Sequence, residues 1–73
     1  MELPVLKEGY YECLYRLSIR DKKGLGGRKL TTVPEKAIIE IKAIEYLSSS
    51  IWGRTEEGWI CMYMNETPYV KKK

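Results

Sequence analysis

The stretch IWGRTEEGWICMYM, residues 51–64, decides the fold predicted for this chain of 73 residues. Two runs rich in β-branched and aromatic residues are joined by the short connection Glu56-Glu57-Gly58. Such runs on either side of a tight turn that contains glycine are typical of a β-hairpin. Glu56 and Glu57 are adjacent, but a turn tip is solvated and offers no cleft that could separate the pKa values of an acid and a base. They are therefore predicted to be turn residues.

Upstream of the hairpin, two longer segments also favour strands. Residues 10–20, YYECLYRLSIR, alternate apolar and polar side chains with a period of two, which predicts one half-buried strand. Residues 36–47, KAIIEIKAIEYL, fit both a helical and a strand period, but their four isoleucines favour a strand with a bulge or bend near Ala43 and Ile44.

The remaining segments are predicted to be turns and short pieces of strand. Ser48–Ser50 forms a polar turn, and Asn65 and Pro68 signal another turn before Tyr69 and Val70, which form a last short strand or a 3₁₀ turn. Four or five short strands without a convincing long helix predict an all-β fold, a small barrel that hides its sheet edges by curling on itself.

The composition excludes several classes of enzyme. The chain has no histidine, so triads built on an imidazole are excluded within it, and Ser48–Ser50 lack a base that could activate them. Only Cys13 and Cys61 could provide thiolates, too few for a structural zinc site. The sequence therefore predicts no catalytic residue, no metal site and no cofactor. The two cysteines form either one disulfide or two small buried thiols, and the second alternative is favoured.

Charge is concentrated in one loop and at the carboxyl end. The formal charge of +3 is accounted for by Lys71–Lys73, so the rest of the chain is neutral. The loop 20–29 is locally basic and could meet phosphate groups or an anionic wall polymer such as teichoic acid, although a solvated, flexible loop is the favoured explanation. Its glycines lack the spacing of a phosphate-binding loop. The candidate basic-loop residues are Arg20, Lys22, Lys23, Arg28 and Lys29.

Aromatic residues with a polar atom predict a shallow binding groove. Trp52 and Trp59 flank one hairpin and have Tyr63 within reach, and such side chains combine a large contact area with a solvated N–H or O–H. The alternative is that one tryptophan plugs the end of the barrel. A domain this small cannot bury all its tyrosines, so some are expected at the surface. The candidate groove residues are Trp52, Trp59, Tyr63, Tyr15 and Tyr69.

Three motifs resemble one family in the same order along the chain. Residues 52–62, WGRTEEGWICM, resemble the WGKT-xx-GWISM hairpin of bacterial SH3-like (SH3b) domains. Residues 17–20, LSIR, resemble the LNVR strand of that family, and residues 69–71, YVK, resemble its closing YVK. The resemblance spans roughly residues 14–71. The chain differs from the family in the loop after Arg20 and in an insertion at 63–68, beside the usual groove.

The resemblance implies an SH3-like barrel over residues 10–70, a lead-in strand or linker over 1–9 and a basic tail over 71–73. It implies a non-catalytic module that targets a peptidoglycan hydrolase, such as a phage endolysin, or another phage protein to the bacterial cell wall. The expected partner is peptidoglycan or its cross-bridge peptide, and the expected location of the full protein is extracellular or at the cell wall.

Two other functions remain open at this point. The domain could be a protein-interaction or assembly domain of a phage or surface protein that binds another subunit. Nucleic-acid binding through the loop 20–29 is less favoured, since the neutral remainder of the chain lacks a wide basic stripe. No signal-peptide pattern opens this chain, and no apolar stretch approaches the ~20 residues of a membrane span, so no membrane partner is expected.

Overall fold

The computed structural model describes residues 4–24 and 26–73. It confirms the all-β fold class: 55% of the described residues are in strands arranged in two sheets, and these residues contain no helix. Met1–Leu3 of the predicted lead-in segment and Leu25 of the predicted basic loop lie outside the described residues. The described strands are β1 Gly9–Cys13, β2 Leu17–Arg20, β3 Lys29–Val33, β4 Ile38–Ile41, β5 Ala43–Tyr46, β6 Ser50–Arg54, β7 Trp59–Met64, β8 Thr67–Pro68 and β9 Val70–Lys72.

The strands form a smaller and a larger antiparallel sheet. The smaller sheet has the order β4-β1-β9, and the larger has the order β3-β2-β7-β6-β5, with β8 paired to β7. Buried side chains from both sheets form the main core, which gives the domain its barrel-like shape. These core residues are Tyr11, Cys13, Leu17, Ile19, Val33, Ile41, Ile51, Ile60, Met62 and Val70.

The predicted hairpin is confirmed as β6 and β7. Its turn is closed by Thr55, whose N–H donates to the Gly58 carbonyl at 2.7 Å. The Thr55 hydroxyl oxygen also accepts hydrogen bonds from the N–H groups of Glu57 and Gly58, at 3.1 and 3.2 Å. Gly58 has a φ of +154°, and a Cβ atom there would lie 2.4 Å from the Arg20 carbonyl oxygen. Glycine thus lets β2 approach the hairpin closely.

The prediction of a single strand over residues 10–20 is wrong, because the strand is interrupted between Cys13 and Leu17. β1 joins the smaller sheet and β2 joins the larger one. Before and after this interruption the residues of the predicted apolar face are buried, as shown by Tyr11 in β1 and Ile19 in β2, which are 2% and 1% exposed. Tyr15 lies in the break and is 52% exposed, since there it is not held to either sheet.

The strand predicted over residues 36–47 also changes sheets. Its strand character is confirmed, but the interruption falls at Lys42, just before the predicted position. β4 pairs with β1, whereas β5 pairs with β6. The Lys42 N–H donates to the Arg54 carbonyl at 2.8 Å, which links the interruption to the hairpin.

Several short elements have boundaries that the patterns did not predict. β3 begins at Lys29, which was predicted to lie in a loop, and Ser50 is buried in β6 instead of lying in a turn. The turn predicted after β7 is present: Asn65 and Glu66 have φ values of 52° and 61°, which is typical of the two-residue turn of a tight hairpin. The last strand, β9, pairs with β1 and includes Lys71 and Lys72.

The segment before β1 lies against the barrel. The Tyr46 hydroxyl accepts from the Leu6 N–H at 2.9 Å, and the Tyr11 hydroxyl donates to the Lys7 carbonyl at 2.6 Å. Because these two tyrosines belong to different sheets, the described part of this segment contacts both halves of the domain.

We expect Gly58→Ala to lower the free energy of unfolding by about 3 kcal/mol, because it combines an unfavourable φ with overlap against β2. Gly26→Ala is the matched control, since a Cβ atom there meets nothing within 4 Å. Urea unfolding followed by circular dichroism measures both. Equal stability of the two variants would show that β2 does not need the close approach.

Candidate binding site on the outer face of the larger sheet

The outer face of the larger sheet, opposite the main core, has an opening beside β7. β2 pairs with β7 only at Ile19–Ile60 and Arg20–Trp59. Further along the same edge of β7, the Tyr69 N–H donates to the Met62 carbonyl at 2.9 Å, so the chain after β8 replaces β2 as the neighbour. The change of neighbour leaves a gap in the sheet that backbone pairing does not close.

A pocket of about 170 Å³ occupies this gap. Pockets for drug-sized ligands measure about 300–1,000 Å³, so this one has room for roughly a single residue of a larger ligand. We call it the Trp52 pocket. Its lining residues are Leu17, Ser18, Arg20, Trp52, Cys61, Met64 and Tyr69.

Trp52 lies deep in the pocket. It is only 1% exposed, and its indole Nε1 donates to the Ser50 hydroxyl at 3.0 Å. It pairs in register with Cys61, and neither residue belongs to the main core, although both are buried. Trp52 and Cys61 therefore form a second apolar layer on the outer face, and Trp52 serves both packing and the pocket.

The aromatic part of the site consists of Tyr15, which is exposed, and Tyr69, which is half-buried and also packs against the main core. The rings of Tyr15 and Tyr69 meet edge to face, with centroids 5.9 Å apart and planes at 82°. Tyr69 is held from both sides, since its N–H donates to Met62 and its carbonyl accepts from the Leu14 N–H at 2.9 Å. The break in residues 14–16 thus places Tyr15 next to a pocket residue.

The other two predicted groove residues lie apart from this pair. Trp59 is half-buried next to Arg20 in the register of β2 and β7, and the Lys23 ammonium lies 5.8 Å from the centroid of its ring. Tyr63 packs against the main core, because a register shift between β6 and β7 follows Ile51. Trp52 and Tyr69 line the pocket and the Tyr15 ring packs on Tyr69, whereas neither Tyr63 nor Trp59 lines the pocket.

The basic loop is held to the body of the domain, and its charges are divided. Arg20 Nη1 donates to the Gly27 carbonyl at 2.9 Å, and the Asp21 carboxylate accepts from the Arg28 N–H at 2.7 Å. Lys23 forms an ion pair with Glu45 of β5, with 2.9 Å between Nζ and Oε1. Three cations of the loop, Lys22, Arg28 and Lys29, are exposed and take no part in the ion pairs found among the described residues.

Several pocket residues were not predicted as groove residues, and they lie on the outward side of their strands. Ser18 and Arg20 alternate with the buried Leu17 and Ile19 of β2, and Cys61 faces the same side across β7. Arg20 was predicted as a loop cation, but it is also part of the pocket. The alternation of β2 identifies its outward side chains, but no sequence signal indicates that β2 and β7 separate beside them.

Both cysteines are free and buried. Burial raises the pKa of the Cys61 thiol from 9.0 to about 11, although a backbone hydrogen bond with Tyr63 and the charge of Arg20 act in the opposite direction. Burial, and to a lesser degree the charge of Glu12, also raise the pKa of Cys13. At neutral pH the Cys61 thiol is therefore uncharged, and Arg20 is the charged residue of the Trp52 pocket.

A second pocket, of about 230 Å³, is acidic at its rim. It is lined by Glu40, Glu56 and Glu57 together with Ile19, Ile39 and Thr55. Glu56 pairs with Lys42 at 3.1 Å. Among the described residues no group of three or more histidine, cysteine or carboxylate side chains could hold a metal ion.

Comparison with protein-family models, with curated proteins and with solved structures finds no match for this chain. The part of the chain that the structure describes has no helix that is long and apolar enough to cross a membrane.

The different burial of the two tryptophans predicts different costs of removing them. Trp52→Ala is expected to lower the free energy of unfolding by about 3–5 kcal/mol, because a large buried side chain is lost. Trp59→Ala is the control and should cost about 1 kcal/mol, since its ring is only half-buried. Urea unfolding followed by circular dichroism separates the two. A small cost for Trp52→Ala would show that the second apolar layer is unimportant.

The raised pKa of Cys61 predicts slow alkylation. In a Cys13→Ala variant, Cys61 should react with iodoacetamide at about pH 8 at least 10-fold more slowly than in the unfolded chain, and the rate should rise toward pH 11. Because folding raises the pKa of Cys61, its protonated thiol contributes to the free energy of unfolding. The contribution is complete below pH 9.0 and is lost as the pH rises through about 11. Equal alkylation rates in the native and the unfolded protein would show that the Cys61 thiol is not buried.

Proposed function

We propose that the domain is a non-catalytic SH3-like module that binds peptide at the bacterial cell wall and so attaches a peptidoglycan hydrolase or a phage protein to it. The observation that carries this proposal is the Trp52 pocket with the Tyr15–Tyr69 pair beside it on a small all-β barrel. The resemblance of residues 52–62, WGRTEEGWICM, to the hairpin of SH3b domains adds independent support.

The size of the pocket favours peptide over glycan as the part of the wall that is bound. About 170 Å³ holds one residue, whereas a glycan would need a longer groove for its sugar rings. Tyr15, which is 52% exposed, offers a flat ring for the next residue of an extended chain. Tyrosine loses little side-chain entropy on binding, which suits it for such a contact. A peptide of peptidoglycan is therefore the proposed ligand.

The exposed loop cations supply a second, weaker contact in this proposal. Lys22, Arg28 and Lys29 point to an anionic wall polymer such as teichoic acid, which carries phosphate groups. Contacts between exposed charges are screened by salt, so this contribution falls as ionic strength rises. The pocket is largely apolar and Arg20 is half-buried in it, so contacts there are screened less by salt.

A pull-down of the labelled domain on peptidoglycan sacculi tests the proposal. We expect binding to bare sacculi that persists at high salt, and Tyr15→Ala should weaken it about 10-fold because an aromatic contact is lost. Tyr10→Ala is the matched control, since Tyr10 is 57% exposed but lies on the smaller sheet. The control should bind like the wild type.

Three outcomes of this experiment contradict parts of the proposal. Absence of binding to sacculi removes the wall target. An equal loss in the Tyr10 and Tyr15 variants removes the assignment to the pocket. Binding that requires teichoic acid and disappears at moderate salt moves the contact to the loop.

A protein-interaction or assembly role is the second candidate. It is favoured by Tyr10 and Ile38, which are 57% and 50% exposed on adjacent strands of the smaller sheet. Sedimentation that shows self-association without wall binding would support this role. Nucleic-acid binding through the loop has less support, because Lys23 is paired with Glu45 and Arg20 with the loop backbone.

A further inference from the structure

Arg20 is a half-buried cation without an acidic partner. Among the described residues, no carboxylate oxygen lies within 4.0 Å of its guanidinium nitrogens. Only Nη1 makes a hydrogen bond, to the Gly27 carbonyl, so most of its N–H donors remain available. Removing a charge from water is costly unless the charge is paired. A half-buried, unpaired guanidinium that lines a pocket indicates an anionic ligand group.

The other lining residues describe the rest of that ligand. Trp52, Met64 and Tyr69 present mainly apolar surface, and the Ser18 hydroxyl can donate a hydrogen bond. The Cys61 thiol is protonated at neutral pH and does not neutralise Arg20. The pocket therefore combines one positive charge with apolar walls in a volume of about 170 Å³.

We propose that the Trp52 pocket binds the C-terminal residue of a peptide, with the α-carboxylate on Arg20 and Ser18 and the apolar side chain against Trp52 and Tyr69. This inference rests on the proposed peptide-binding function and names the part of the peptide that is recognised. A guanidinium binds a carboxylate with two parallel hydrogen bonds, which makes the contact specific.

A single guanidinium favours a chain end over an internal segment, because the main chain of a peptide carries a carboxylate only at its end. The Arg20 side chain is tied to the Gly27 carbonyl, so the basic loop holds the guanidinium in place. Gly27 is itself buried, and a Cβ atom there would lie 2.6 Å from the Lys22 carbonyl oxygen, which shows how tightly the loop is folded. In this proposal the peptide enters past Tyr15 and Tyr69, and its terminal carboxylate binds Arg20.

The same geometry disfavours a phosphodiester polymer in this pocket. Phosphate chains are bound by rows of cations, because their charges repeat along the backbone. The exposed cations Lys22, Arg28 and Lys29 do not line the pocket. Arg20 is one charge in an apolar setting, which matches a single carboxylate next to an apolar side chain.

The test uses two versions of one peptide, acetyl-Gly-Gly-Leu with a free carboxylate and with a C-terminal amide. Binding to the ¹⁵N-labelled domain is followed by NMR, with the Arg20 Nε–H signal and the amides of Ser18, Cys61 and Tyr69 as local reporters. We expect the carboxylate peptide to bind with a Kd of about 1 mM or below and to shift these signals. The amide should bind about 10-fold more weakly, because a charged hydrogen bond is lost.

Variants assign the preference to Arg20. Arg20→Gln should remove the preference for the carboxylate, and Arg20→Lys, which keeps the charge but not the paired hydrogen bonds, should retain part of it. Arg54→Gln is the matched control, since Arg54 is an exposed arginine of β6 that does not line the pocket. The control should keep the full preference. Thermal unfolding by circular dichroism checks that each variant is folded.

Equal binding of the two peptides, shifts confined to other parts of the domain, or no shift at about 10 mM peptide would each overturn the inference. Binding to sacculi without carboxylate preference would overturn this inference alone and leave the wall-binding proposal intact. Carboxylate preference without binding to sacculi would support the inference and remove the cell wall as the target.

Discussion

The shared edge of β7 is the constraint on which the rest of the structure depends. One part of this edge pairs with β2, and the next part receives the Tyr69 N–H at the Met62 carbonyl. The close approach at Gly58 holds β2 to the first part. Because two different segments share one edge, a gap remains between them, and this gap is the Trp52 pocket. The pocket is thus a consequence of how backbone hydrogen bonds are distributed along a single strand.

The two sheets are joined because two segments, each predicted to form one strand, change from one sheet to the other. The run over residues 10–20 breaks after Cys13, and the run over 36–47 breaks at Lys42. Each break lets one segment contribute a strand to both sheets, so the main core lies between strands that are neighbours in sequence. The first break also releases Tyr15 from the sheet and brings it to Tyr69. The same interruption therefore joins the two sheets and exposes Tyr15.

The site contains one charge, and its surroundings determine its role. Arg20 belongs to the basic loop by sequence, but its position on the outer face of β2 places it in the pocket beside Cys61. Burial keeps the thiol protonated, so the guanidinium stays uncompensated. Lys23, three positions after Arg20 in the same loop, is paired with Glu45 instead. Two cations that are close in sequence thus have different partners, because their side chains meet different surfaces.

The sequence by itself determined the all-β class, the hairpin at 51–64 and the buried alternation of Tyr11, Cys13, Leu17 and Ile19, because period-two patterns and turn residues act locally. The aromatic composition also predicted a site that includes Trp52, Tyr15 and Tyr69. Only the tertiary structure decided that Trp52 is buried, that Tyr63 turns to the core and that Arg20 joins the pocket. Those outcomes depend on a register shift, on interruptions of strands and on which strands become neighbours. All three are set by contacts between residues distant in sequence, which no local pattern encodes.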